Sequence, residues 1–365
     1  MSAAAASSCA PAMASRALHQ WGRGGAAARV PTSHSVVNSE AAINLRLRPR
    51  ANAARRSLVV VSSARPSRER RATDDPDRPP APPCPNPLGV HALLWAGGWS
   101  EAECRRAISS TANLEYQLIE IPLLDPASVD TAMTKHVLAE YGIKATTSLG
   151  LSFDADVSSP ENECAARGEA LLNEALTACV GLDSQYMCGI LYSALGKYDA
   201  PPTAQGRANS VAALKRVARR AADSGVTLGL EVVNRYETNL LNTAAQAMEF
   251  LSEINEPNVK VHLDSYHMNI EERSLRQAVL TCGDKLGYVH VGESHRGKLG
   301  TGTVDFPQMF WGLAEINYVG PIVYESFSSA VVSPGLSNTL CVWRDLWEDG
   351  EAVASSAKDY IEQRV

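Results

Sequence analysis

"LGLEVVNRYETN", Leu228 to Asn239, decides how the rest of the chain is read. Leu228, Leu230, Val232 and Val233 form an apolar run of strand type, and the Asn-Arg-Tyr-Glu that follows reads as a loop at its C-terminal end. Glu231 stands near the end of that run, and a second carboxylate, Glu237, comes six residues later. A carboxylate there is costly unless a metal, a partner or a substrate compensates it. Two readings stand side by side: a structural salt bridge with Arg235, or a functional site at the end of a buried strand.

Outward from this stretch, short apolar runs alternate with longer amphipathic ones. Eight runs have strand character: "LGVHALLW" from Leu88, "LIEIPLL" from Leu118, "IKATTSLGL" from Ile143, "QYMCGILYSAL" from Gln185, "VTLGLEVV" from Val226, "VKVHLDSY" from Val259, "LGYVHVGE" from Leu286 and "GPIVYESF" from Gly320. Between them lie helical patterns such as "SEAECRRAISSTANL" with Ser100 as N-cap, "SVAALKRVARRAADSG" closing on Gly225, and "TAAQAMEFLSEIN". Eight strand-helix units from residue 88 to 365 match an α/β fold of one (β/α)8 TIM barrel, whose usual length is about 250 residues. A doubly wound open sheet is the competitor. It is expected to carry Gly-x-Gly-x-x-Gly after its first strand, and neither that pattern nor a Gly-Lys-Ser/Thr phosphate loop occurs.

In such a barrel the C-terminal strand ends surround one mouth, where active sites of the fold lie. Strand five brings Glu231 there, strand six Asp264 and His267, strand seven His290, and strand eight Glu325. One such residue is readily structural. Four successive strands each delivering a ligand-type side chain to one rim are hard to explain by pairing alone.

Glu231, Asp264, His290 and Glu325 would make a mostly oxygen site, which favours Mn²⁺, Mg²⁺ or Co²⁺ over the thiolate-rich sites of structural zinc. An octahedral ion held by four side chains keeps positions for two adjacent substrate oxygens. It acts there as a Lewis acid, stabilising the enediolate that forms when the neighbouring carbon loses its proton. Two glutamates from different strands, on opposite faces of the substrate, can remove and return that proton. This is epimerase chemistry.

The stretches "LEVVNRYE", "VHLDSYHMNIEE", "HVGESHRG…GTG" and "VYESF" resemble, in order and spacing, the D-tagatose 3-epimerase / D-psicose (allulose) 3-epimerase family of the xylose isomerase-like barrels. The resemblance runs from Leu88 to "CVWRDLW", expected as a closing helix. It implies a metal-dependent ketose 3-epimerase interconverting ketohexoses of the D-tagatose/D-sorbose and D-fructose/D-psicose type, with Mn²⁺ as the first choice of metal. Glu231, Asp264, His290 and Glu325 are then the metal ligands, Glu231 and Glu325 also the proton-transferring pair, and Glu237, His267 and Arg296 the residues that hold O1 to O3 of the ketose. A homodimer or homotetramer is implied as well. "HALLWAGGWS" and "IEIPLLDPAS" depart from the aromatic-rich first loops of better-known members, and His295 stands where Asn is common, so the choice of sugar stays open. Rival readings are an aldose-ketose isomerase or inosose dehydratase of the same superfamily, and a non-catalytic sugar-binding protein. An endonuclease IV-like phosphodiesterase is disfavoured, since it needs more histidines and a basic groove.

Some nearby residues keep two readings. Glu271 and Glu272 are expected at a solvated helix start, where acids are favoured. Glu293 is expected to orient His290 or Arg296. Trp95 is either core or a wall of the sugar pocket. Glu120 either approaches the metal or pairs with a barrel lysine.

The first part of the chain has a different composition. Residues 1–68 hold ten arginines, no lysine and one acid, Glu40, among many Ala and Ser, which predicts an organellar transit peptide, chloroplast ahead of mitochondrion. Residues 69–87, rich in Pro and mixed charge, are expected as a poorly ordered linker, leaving 88–365 as the folded domain. The transit segment carries +9 of a total of −6 and so leaves −15 on the rest, which argues against a nucleic-acid partner. No apolar run reaches the about 18 residues of a membrane span. Eight cysteines with no Cys-x-x-Cys pair suit buried thiols in a reducing compartment.

Overall fold

The computed structural model describes residues 85–365; the transit segment expected at 1–68, and the linker at 69–87 as far as residue 84, lie outside the described residues. The eight expected strands all form: β1 (Leu88–His91), β2 (Leu118–Pro122), β3 (Lys144–Leu151), β4 (Tyr186–Ala194), β5 (Thr227–Val232), β6 (Val259–Asp264), β7 (Leu286–Val291) and β8 (Ile322–Tyr324). They close in sequence order, every neighbouring pair parallel, with β8 returning to β1.

The helices are α1 (Glu101–Asn113), α2 (Thr131–Tyr141), α3 (Asn162–Gly181), α4 (Ala204–Asp223), α5 (Ala244–Ile254), α6 (Ser265–Glu271), α7 (Leu275–Cys282), α8 (Phe306–Glu315), α9 (Pro334–Thr339) and α10 (Gly350–Glu362). Ser100 caps α1 in a reciprocal box with Glu103. α4 begins earlier than the "SVAALK" pattern suggests, because Thr203 Oγ1 accepts the Gly206 N–H at 2.9 Å and starts the helix there.

Three expectations are corrected. The "VKVHLDSY" run stops being a strand at Asp264, whose carboxylate accepts the Tyr266 N–H at 2.6 Å and opens α6. "CVWRDLW" is not a helix: Cys341 at φ +54° turns the chain out of α9, and the final helix, α10, starts only after Asp349. Glu271 and Glu272 lie at the end of α6 rather than at a helix start.

The barrel interior is filled in layers, as the fold requires. At the N-terminal end, the Tyr186 and Tyr288 rings stack with centroids 4.8 Å apart. Glycine makes room for them: a Cβ at Gly229 would stand 2.6 Å from Tyr186 Cε1. Trp95 belongs to the core, its Nε1–H donating to Thr111 at 3.0 Å, and is not a pocket wall. Cys104, Cys164, Cys179, Cys188 and Cys282 are buried and unpaired. Among the described residues no helix is long and apolar enough to cross a membrane.

Candidate active site

Strand periodicity and register assemble the site. Successive side chains of a strand point to opposite faces, so Gly229 and Glu231, His262 and Asp264, and Tyr288 and His290 form inward pairs. Register then lines them up across strands, with Glu231 opposite His262, His262 opposite Tyr288, and Asp264 opposite His290. Glu325 follows β8 directly and is held in line by its backbone N–H to Val291 O at 3.1 Å. One ligand-type atom from each of Glu231, Asp264, His290 and Glu325 lies within 4.8 Å of the others, and all four residues are buried.

His290 Nδ1 is the focus of this cluster. It lies 3.5 Å from Glu325 Oε2, 3.6 Å from Glu231 Oε1 and 4.0 Å from Asp264 Oδ2. Burial pushes Glu231 upward, and Glu325 adds to this against the opposing pull of His290. Burial likewise raises Asp264 against Arg296 and His267. Glu325 goes the other way: burial opposes its charge, but Arg296 and His290 outweigh it and hold the carboxyl well below the usual range.

Beside the cluster stand the residues expected to hold sugar. His267 Nε2 is 3.7 Å from both Glu231 Oε1 and Asp264 Oδ2. Asn234, which sequence reasoning passed over, joins two of the expected residues: its Nδ2 lies 2.8 Å from Glu237 Oε1 and 2.8 Å from His267 Nδ1. Arg296 Nη1 donates to Asp264 Oδ2 at 2.8 Å and to Glu325 Oε2 at 2.5 Å, and its guanidinium lies 3.8 Å over the Tyr266 ring. Burial works against the Arg296 charge, but the two carboxylates more than offset it.

Two other expectations change. Arg235 does not pair with Glu231; it forms a two-pronged contact with Glu271 at 2.8 and 2.7 Å, so the structural salt bridge is elsewhere. Glu293 orients neither His290 nor Arg296 through its side chain. Its carboxylate instead accepts the backbone N–H groups of Ser294, Gly300 and Val304 at 2.8, 2.8 and 3.3 Å and so closes the glycine-rich loop. A Cβ at Gly302 would collide with Glu293 Oε1 and Ser294 Oγ, which explains a glycine there. Arg296 enters its turn from this loop, at φ +59° with its N–H on Glu293 O at 2.8 Å.

The cluster opens into a cavity of about 450 Å³ that also reaches Glu237, His267 and Arg296. Its far wall is apolar, with Leu151, Ile190, Leu195, Phe327, Leu336 and Leu340. Among the described lining residues there is no lysine, and Arg296 is the one arginine.

The residues fit a divalent cation. His290 Nδ1 is buried without a hydrogen-bond partner, and three carboxylates converge on it. Three oxygens and one imidazole nitrogen suit Mn²⁺, Mg²⁺ or Co²⁺.

The family described as xylose isomerase-like TIM barrel matches residues 108–355. An L-ribulose 3-epimerase of Methylomonas sp. (strain DH-1) is 53% identical over 276 residues, 76% of this chain and 96% of that protein. A ketose 3-epimerase of Arthrobacter globiformis is 48% identical over 278 residues, again 76% of this chain and 96% of its own length. The crystal structure of a D-allulose 3-epimerase from Methylomonas sp. in complex with D-allulose superposes with a TM-score of 0.76 at 52% identity, covering 78% of this chain and 98% of that one. The barrel, the convergence of three carboxylates and an imidazole at its strand ends, and these likenesses lead to one conclusion: the chain belongs to the ketose 3-epimerase family of xylose isomerase-like TIM barrels.

Proposed function

We propose that this protein is a metal-dependent ketose 3-epimerase in which Glu231, Asp264, His290 and Glu325 hold a divalent cation, Mn²⁺ first, and Glu231 and Glu325 move the proton at C3. The observation that carries this reading is the convergence of Glu231 and Glu325 from β5 and β8 on one buried imidazole nitrogen, at the floor of a cavity of about 450 Å³. When bound, the cation supplies positive charge beside the sugar oxygens that gain negative charge as the proton leaves.

The chain's own residues do the rest. One glutamate takes the C3 proton as general base, the electrons pass into the adjoining carbonyl to give an enediolate, and the other glutamate delivers a proton to the opposite face. Epimerisation follows because donor and acceptor lie on different strands. Glu237 and His267, tied together through Asn234, and Arg296 hold O1 to O3 and keep the reacting carbon between the two carboxylates. The wall of leucines, Ile190 and Phe327 excludes water from the charged intermediate. A free ketose fits this cavity better than a phosphorylated one. The one arginine among its described lining residues is already engaged by Asp264 and Glu325, and a phosphate dianion would meet that apolar wall.

The test is solvent exchange. The Mn²⁺-loaded protein, incubated in D₂O with D-tagatose, D-fructose, D-psicose, D-sorbose and L-ribulose, is expected to place deuterium at C3 with appearance of the 3-epimer. Glu325→Gln is expected to abolish both. Label at C1 or C2 instead means an aldose-ketose isomerase, and no label with bound metal means a sugar-binding protein.

From composition alone we also propose that residues 1–68 are a plastid transit peptide and 69–87 a linker, leaving 88–365 as the mature barrel in the stroma, and from the family resemblance that it works as a dimer or tetramer. Import of the full chain into isolated chloroplasts and into mitochondria, with sizing of the processed product, tests these points.

A further inference from the structure

Glu120 sits in the middle of β2, fully buried, flanked in register by His91 on β1 and Thr146 on β3. Its Oε2 accepts a hydrogen bond from Tyr288 Oη at 2.9 Å and lies 2.7 Å from His290 Nε2, while His91 Nε2 stands 3.5 Å from Oε1. Tyr288 Oη is in turn 2.6 Å from Thr146 Oγ1. Among the described residues no lysine or arginine lies within ion-pair distance of this carboxylate, so the expected barrel lysine is replaced by imidazoles. A buried carboxylate compensated only by two histidines and a phenol is costly as packing and asks for another role.

Hydrogen-bond bookkeeping supplies one. An ionised carboxylate only accepts, so the ring nitrogen facing Glu120 must carry the proton. The nitrogen left over is Nδ1, which has no partner of its own and faces Glu231, Asp264 and Glu325. We propose that Glu120 is a positioning residue: by accepting the Nε2–H of His290 it fixes the ring's tautomer and rotation, presents Nδ1 to the cation and raises its basicity. Tyr288 and Thr146 hold the carboxylate in that pose, Thr146 donating to Tyr288 and Tyr288 to Glu120. The inference rests on the reading of Glu231, Asp264, His290 and Glu325 as a cation site. It adds that this site extends one residue deeper, to the opposite side of the barrel lumen.

The experiment measures Mn²⁺ affinity of the metal-stripped full-length protein from the paramagnetic resonance signal of free Mn²⁺. The proteins are wild type, Glu120→Gln, Glu120→Ala, Tyr288→Phe and Glu325→Gln. Loss of a carboxylate that orients a ligating histidine weakens binding about 10- to 100-fold, and that is the loss expected for both Glu120 variants. Tyr288→Phe removes one support of the Glu120 pose but keeps the carboxylate facing His290, and is expected to weaken binding less than either Glu120 variant. A merely structural Glu120 would lower the melting temperature of the metal-free protein and leave Mn²⁺ affinity at the wild-type value, which overturns the proposal. Wild type that binds no Mn²⁺, Mg²⁺ or Co²⁺ defeats the cation-site reading itself, a different result from tight wild-type binding shared by the Glu120 variants. Should both variants fail to fold, ¹⁵N NMR of the Mg²⁺-loaded wild type decides: a proton on His290 Nε2 and none on Nδ1 supports the assignment, and the reverse overturns it.

Discussion

Replacing Glu293 by alanine tests how the glycine-rich loop is held. The carboxylate is fully buried and takes the backbone N–H groups of Ser294, Gly300 and Val304. A hydrogen bond to a charged group contributes about 1.5–3 kcal/mol, but this loop borders solvent and its N–H groups regain some water when the side chain leaves, so about 1 kcal/mol each and about 3 kcal/mol in all is expected. For a barrel of this size that corresponds to a fall of about 6–12 °C in melting temperature. The pH dependence follows from the sign of the shift. Burial pushes Glu293 upward, yet the backbone N–H groups of Ser294, Val304, Gly300 and Gly302 outweigh it and hold the folded value below the ordinary one. A depressed carboxyl stabilises the fold fully above its unfolded value of about 4.3 and loses that contribution as pH falls through the folded value. The gap between wild type and Glu293→Ala, read by thermal melts monitored by circular dichroism, is therefore expected to stay constant from about pH 6 to 8 and to close below about pH 4. Arg296 leaves the same loop, so KM for the ketose should rise more than kcat falls. A melting temperature within about 2 °C of wild type at neutral pH would falsify the assignment of Glu293 as the loop's anchor.

Other outcomes follow from the same geometry. Gly189 adopts φ +109° and a Cβ there would strike Leu149 O on the paired strand, so Gly189→Ala should cost about 3 kcal/mol or more and spoil the cavity wall, read by urea titration; an unchanged midpoint refutes it. His262 is buried with no hydrogen-bond partner for either ring nitrogen, so His262→Leu should be neutral or stabilising by about 1 kcal/mol, and a loss above about 2 kcal/mol would show that its nitrogens matter. Mn²⁺ at about 100 times its dissociation constant should stabilise the fold by about 2.7 kcal/mol and raise the melting temperature by roughly 5–10 °C. Chelator should reverse that gain, and a Glu325→Gln variant should show little of it.

The residues proposed to hold sugar divide by their reach. Glu237 and His267 stand on a loop and a short helix that leave neighbouring strands, and Asn234 makes them one unit. Arg296 belongs to a different loop and reaches across to Asp264 and Glu325. Substitution at Asn234 therefore disturbs Glu237 and His267 at once and is expected to raise KM for the ketose, read by steady-state kinetics, without touching Glu231 or Glu325.

The order of elements and the four strand-end residues that converge in the barrel were legible in the chain itself. Alternation of apolar runs with amphipathic ones is a local property, and a charged side chain at the end of an apolar run stands out because burying it costs free energy. Glu231, Asp264, His290 and Glu325 are visible on those grounds, and the motif spacing that points to the ketose 3-epimerase family is likewise a property of the chain alone. What only the tertiary structure decided are the pairings. Arg235 chose Glu271, thirty-six residues away, over the nearer Glu231. Glu293 turned to the backbone of its own loop. Glu120 met His290, 170 residues away, across the barrel lumen. Closure of a sheet brings strands from opposite ends of the chain into one interior, and which buried polar groups then satisfy one another depends on register and on layer within that interior. No local pattern carries that information.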